Sequence, residues 1–217
     1  MPSHRTLAAL TTVVFAVAGA SCRSAGIDTS PQIIQPGAPG EGSRVITADK
    51  ASDLSKVGFT PADVAFMQGM IGHHGQAVEM TTMLPSRTSS EDMKKLAQRI
   101  EISQTDEIKM MQDWLRVRAQ PLPDPHAMHI HGAMLMPGML SAEEMERLAE
   151  AKGAGFDRLF LEGMIKHHGG ALTMVTALFA TPGAGQDSEI YAFASDVDAD
   201  QRMEIDRMGA MLKEFRK

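Results

Sequence analysis

Four of the chain's eight histidines stand as two adjacent pairs, His73-His74 and His167-His168. A methionine precedes each pair by three and four residues, Met70 before the first and Met164 before the second. Imidazole ligates Cu(II), Zn(II) and related ions, and thioether sulfur favours Cu(I), so these residue types at this spacing point to metal ligation. A single histidine on an apolar helix face is more simply a core residue bonded to a polar neighbour. Two pairs, each with its own methionine, ask for more than packing, which accepts any apolar residue. Further methionines recur at matched positions, Met80 and Met174. A second source of ligands lies between the pairs: His126, Met128, His129, His131, Met134, Met136 and Met139 fall within fourteen residues. Prolines and glycine keep that segment out of regular helix, and short His-rich tracts read as metal-binding. The alternative is that the linker lies over the core and buries its methionines there.

The elements that position these residues are duplicated. Phe66 to Met80 and Phe160 to Met174 are nearly the same sentence at an offset of 94, and Asp63 and Asp157 extend the match upstream. Self-similarity at a fixed offset marks a repeated structural unit. Thr60 is an N-cap, Pro61 takes the first helical position, and Asp63 suits the first turn of a helix that runs to about Leu84, where Pro85 stops it. A second helix starts near Ser89 or Ser90 and carries Leu96, Ile100, Gln104, Glu107, Ile108, Met111 and Leu115 on one face. Its last five recur as Gln201, Glu204, Ile205, Met208 and Leu212, at an offset of 97. Ser141 and Glu144 form a capping box for a short helix. Helices from about Gly155 to Ala180 and from about Asp187 to Phe215 complete a second hairpin. The expected architecture is all-α, a four-helix bundle of two duplicated hairpins, with no competing strand signal. Its parts are hairpin 1 over 58–118, a His/Met-rich linker over 119–140, a short helix over 141–152 and hairpin 2 over 154–217.

On a wheel of about 100° per residue, His73 and His74 straddle the buried stripe with Met70 between them, and Met164 sits likewise between His167 and His168. Asp63 and Asp157, or Glu107 and Glu204, would bond the remaining ring nitrogens. Met67 is a weaker candidate, because its counterpart is Leu161.

The net charge of −6 argues against a nucleic-acid partner, which needs a basic face. Residues 1–22 read as an export signal, an apolar run too short to span a bilayer. Ala18-Gly19-Ala20 is a cleavage site for a soluble product. Gly19-Ala20-Ser21-Cys22 resembles a lipoprotein box, in which Cys22, the sole cysteine, carries the lipid; this is the preferred reading. Residues 23–57, rich in Pro, Gly and Ser, read as a flexible tether.

Phe66…Met70-Ile71…His73-His74…Ala77…Met80, then Met136-Pro137-Gly138-Met139-Leu140, then Phe156-Asp157…Phe160-Leu161…Met164-Ile165…His167-His168…Gly170-Ala171…Met174 resemble the bacterial family named domain of unknown function 305. The resemblance covers about Thr60 to Leu212. It implies an exported ferritin-like four-helix bundle, and some members are linked to copper binding and copper tolerance. The expected role is therefore copper sequestration or transfer, with zinc compatible with the same donors. Membrane attachment through Cys22 and a homodimer are further expectations. A metal-free interaction module of the cell envelope, its histidines acting as pH-responsive core groups, is the alternative. A ferritin-like di-metal oxidase is disfavoured, because such sites use Glu-x-x-His motifs and none occurs here. No hydrolase elbow, P-loop or dinucleotide fingerprint is present, and no catalytic residue is assigned.

Overall fold

The computed structural model describes residues 32–35, 42–52, 58–123 and 135–215. Two short strands, β1 (Ile33–Gln35) and β2 (Arg44–Ile46), pair antiparallel, and a five-residue helix α1 (Ala48–Ser52) follows. The long elements are α2 (Pro61–Arg87), α3 (Glu91–Val117), α5 (Gly153–Ala180) and α6 (Ser188–Glu214), with the short α4 (Ala142–Glu150) between the hairpins. Packing joins α2 to α3, α5 to α6, and α2 to α5. The fold is thus the all-α bundle of two hairpins. Among the described residues, no helix is long and apolar enough to cross a membrane.

Local chemistry sets the helix starts. The Thr60 hydroxyl accepts from the Asp63 backbone N–H and the Asp63 carboxylate accepts from the Thr60 N–H, a reciprocal box that satisfies two otherwise orphaned donors. Ser141 and Glu144 do the same for α4, while Ser90 and Asp187 cap α3 and α6. Two expectations need correction. Pro85 does not stop α2, which continues to Arg87. A proline this close to the C-terminus removes a single helical N–H, and buried Leu84 holds the last turn against the core. Part of the expected tether is also structured: β-branched Ile33, Ile34, Val45 and Ile46 pair as strands.

The core is divided. One apolar cluster gathers Phe66, Met67, Met70, Trp114, Ala171, Val175 and Phe193 with their neighbours. The other gathers Ala77, Met80, Leu84, Ile100, Phe156, Phe160, Met164 and Met208 with theirs. Along each long helix the break falls at polar residues. His73 and His74 interrupt α2, His167 and His168 interrupt α5, Gln104 and Glu107 interrupt α3, and Gln201 and Glu204 interrupt α6. A polar layer therefore crosses the middle of an otherwise apolar bundle.

Candidate metal centre

All four paired histidines are buried, none more than 1% exposed. Each uses its Nε2–H on an oxygen acceptor. His74 donates to Glu107 Oε2 (2.5 Å) and His168 to Glu204 Oε2 (2.7 Å). His73 donates to the Pro137 carbonyl (2.9 Å), and His167 donates to the carbonyl of His73 itself (2.8 Å). Carbonyl and carboxylate oxygens only accept, so each Nε2 carries its hydrogen, which in a neutral ring leaves the lone pair on Nδ1. All four Nδ1 atoms are buried without a hydrogen-bond partner. Leaving such a group unpaired costs about 1–3 kcal/mol, and buried polar atoms are nearly always paired.

The rings form one continuous group. His73 and His167 lie ring over ring, 3.8 Å between centroids and 37° apart, with His74 at 6.4 Å from His73 and His168 at 6.0 Å from His167. Burial, reinforced by His74, lowers His73 to about 3. Burial and the neighbouring rings, His73 first, hold His167 well below its ordinary value. Both are neutral at physiological pH, with no proton competing for Nδ1. In this stacked arrangement, no three His, Cys, Asp or Glu side chains among the described residues form a ready-made metal cage.

Backbone proximity builds the acceptor for His73. The turn at 136–140 lies directly on α5, where a Cβ on Gly170 would stand 1.9 Å from the Pro137 carbonyl oxygen. A Cβ on Gly138, at φ 75°, would lie 2.5 Å from the Lys166 carbonyl oxygen and 2.6 Å from Gly170 Cα. On the other side, Gln76 clamps the same turn, donating to the Leu140 carbonyl (2.9 Å) and accepting from its N–H (2.8 Å).

Residues 63–212 match the family described as Domain of unknown function (DUF305). The chain belongs to that family. A DUF305 protein from Streptomyces coelicolor is 30% identical, with a TM-score of 0.62 over 71% of this chain and 93% of its own. A DUF305 fragment from Deinococcus radiodurans is 31% identical, with a TM-score of 0.61 over 72% and 98%. CopM in its Cu(II)-bound form is 27% identical, with a TM-score of 0.59 over 70% and 97%. CopM has also been solved with Cu(I), at 28% identity and a TM-score of 0.56 over 71% and 98% of the two chains. No functionally curated protein sequence matches the chain.

Within this DUF305 chain the remaining candidates fall into three groups. Met70, Met80 and Met164 are fully buried. A Cβ on Gly163 would lie 3.3 Å from Met80 Cε, and one on Gly69 would lie 3.4 Å from Met174 Cε and from Met136 Sδ. Because Gly69 and Gly163 are matched positions, each hairpin's glycine receives the other hairpin's methionine. Met139 is buried beside Leu140. Glu107 and Glu204 are the carboxylates that contact histidine. Asp63 bonds elsewhere: besides its cap, it accepts from the Gly185 N–H (2.7 Å), and Asp157 Oδ1 is buried without a partner. His126, Met128, His129, His131, Met134 and Cys22 lie outside the described residues.

Sequence reasoning missed the Pro137 carbonyl, the His73 carbonyl, Gln76 and Gly170. A signal for the close approaches was present in the matched glycines 69 and 163. Glycine costs about 1 kcal/mol against alanine inside a helix; the matched pair 69 and 163 faces methionines, whereas the matched pair 75 and 169 faces nothing within 4 Å.

Proposed function

We propose that this DUF305 protein is an exported copper-binding protein that sequesters or transfers the ion as cargo. The observation that carries the reading is the set of four buried, unpartnered Nδ1 lone pairs in a polar layer that splits the core. Imidazoles whose Nε2 is fixed by carboxylate or carbonyl present Nδ1 as a ligand in their neutral form, and the fixing partner raises their basicity. His73, His74, His167 and His168 would hold the ion, with the thioethers of Met70 and Met164 on the same helix faces suiting the Cu(I) state. Copper rather than zinc is favoured by those thioethers and by CopM, solved with Cu(I), Cu(II) and silver at 27–28% identity. Occupancy would also relieve the cost of four unpaired nitrogens. His126, Met128, His129, His131 and Met134 are assigned as a capture segment for the ion; Met136 packs on Gly69 and Met139 is buried, so neither belongs to it. Export is supported by residues 1–22, with lipidation of Cys22 placing the bundle on a tether.

The test is a Cu(I) titration of the domain against a competing chelator. His73→Ala combined with His167→Ala is compared with a variant in which His126, Met128, His129, His131 and Met134 are replaced by serine. The core variant is expected to lose at least 100-fold in affinity while its circular dichroism stays helical; the serine variant is expected to lose less. Unchanged affinity in the core variant overturns the assignment. Wild-type binding no tighter than that of an ordinary helical bundle leaves the metal-free module.

A further inference from the structure

The histidine nitrogens have no contact with solvent, so an ion needs a way in. On one side, the turn at 136–140 is fastened to the bundle by Gln76, Gly170 and His73. Between α3 and α6 the bundle is open. A cleft of about 410 Å³ is lined there by Arg99, Ser103, Asp200, Met203, Glu204 and Arg207. Its wall includes Glu204, whose Oε2 accepts from His168 (2.7 Å) and whose Oε1 accepts from Arg99 (3.4 Å). One carboxylate therefore touches both the cleft and the buried histidine layer. Glu107, bonded to His74, has its other oxygen on Ser103, a second lining residue (3.2 Å). His168 is thus one side chain from the opening, through Glu204, and His74 is two, through Glu107 and Ser103.

The cleft is chemically suited to cations. Burial first, and then the nearby charges of Glu107 and Glu204, raise the Asp200 pKa. Crowded carboxylates of this kind concentrate counter-ions. Within the lining Arg99 and Arg207 balance Asp200 and Glu204, Glu107 adds a further carboxylate just behind it, and Arg99 is bound to Glu204, so an arriving cation exchanges with its guanidinium. Met203, 62% exposed, adds a thioether at the mouth.

We infer that the α3/α6 cleft is the port through which copper enters and leaves the histidine layer, with Glu204 as the carboxylate at its inner end beside His168. This rests on the copper reading above and adds a route to it. The port sets rates and not affinity, so kinetics separate the two claims. Met203→Trp fills the mouth from an exposed position and leaves the apolar clusters untouched. Asp200→Asn removes one charge.

The experiment follows Cu(I) loading from, and unloading into, a chromophoric Cu(I) chelator by stopped-flow absorbance, a readout that the added tryptophan does not disturb. Equilibrium affinity is measured in parallel. Met203→Trp is expected to slow loading and unloading together by tenfold or more with affinity unchanged. Asp200→Asn is expected to slow loading several-fold at low ionic strength and to match wild type at high salt. Wild-type rates in Met203→Trp, with wild-type affinity intact, overturn the port alone. Absence of tight binding by the wild-type protein overturns the copper reading and the port together.

Discussion

Position 76 in the first hairpin is glutamine and its counterpart in the second, position 170, is glycine, yet both act on one turn. Gln76 reaches out to hold Leu140, whereas Gly170 lets Pro137 come in. The histidines divide in a related way. The outer members, His74 and His168, keep matched partners in Glu107 and Glu204. The inner members do not: His73 bonds the linker's Pro137, and His167 bonds the backbone of His73. Duplication thus supplies two equivalent arms, and a single linker, which has no second copy, makes the centre asymmetric. Polar layers can be built by repetition at their edges but need a unique element where the repeats meet.

The comparison is broken most severely at Gly170. Gly170→Ala places a methyl inside the Pro137 carbonyl and is expected to cost about 3 kcal/mol, read from the urea midpoint, since backbone cannot yield as a flexible side chain does. Gln76→Ala loses two hydrogen bonds to the same turn and should cost about 2 kcal/mol. Equal costs would mean that the turn is clamped and not seated.

Acid sharpens the distinction among the histidines. His73 is lowered to about 3, against about 6.5 in an unfolded chain. Below pH 6.5 the unfolded state binds a proton that the folded state refuses, so metal-free stability falls as pH falls, by about 1.4 kcal/mol per pH unit for such a group. His167, shifted in the same direction, adds to that slope. Urea midpoints between pH 7 and 5, above the main carboxylate range, should show it, and His73→Phe should flatten it. A wild-type profile level across that range would contradict the burial of neutral rings.

Smaller effects test the equivalence of the outer arms. Glu107→Gln and Glu204→Gln should each weaken copper binding by about 10–100-fold, the usual effect of losing a ligand's orienting partner. A large inequality between them would show that the arms are not copies in function. Arg99→Ala removes a half-exposed ion pair found in one arm only, and its cost to stability should stay under about 1 kcal/mol.

The bundle was legible because local chemistry and periodicity report helices directly. Thr60-Pro61 and Ser141…Glu144 announce their own starts, and the repeat offset pairs the hairpins without any structure. The wheel set the paired histidines astride the buried stripe, and steps of three and four put Glu107 on the inner face of its helix with Glu204 at the matched position. What could not be read was anything made by backbone meeting backbone. The carbonyl acceptors of His73 and His167 belong to Pro137 and His73, and no side-chain pattern encodes a carbonyl's direction. Asp63 was ambiguous for another reason: a carboxylate in a first turn serves its own cap before any distant partner, and its matched copy Asp157 lacks the Thr-Pro that makes the cap. The β1–β2 pair was hidden among prolines and glycines, its strands only three residues each.

The exchange of methionines across the α2/α5 contact, Met80 over Gly163 and Met174 over Gly69, gives the hairpins nearly self-complementary faces. An interface of that kind is isologous in character although it lies within one chain. A hairpin expressed alone carries most of the surface needed to pair with a copy of itself.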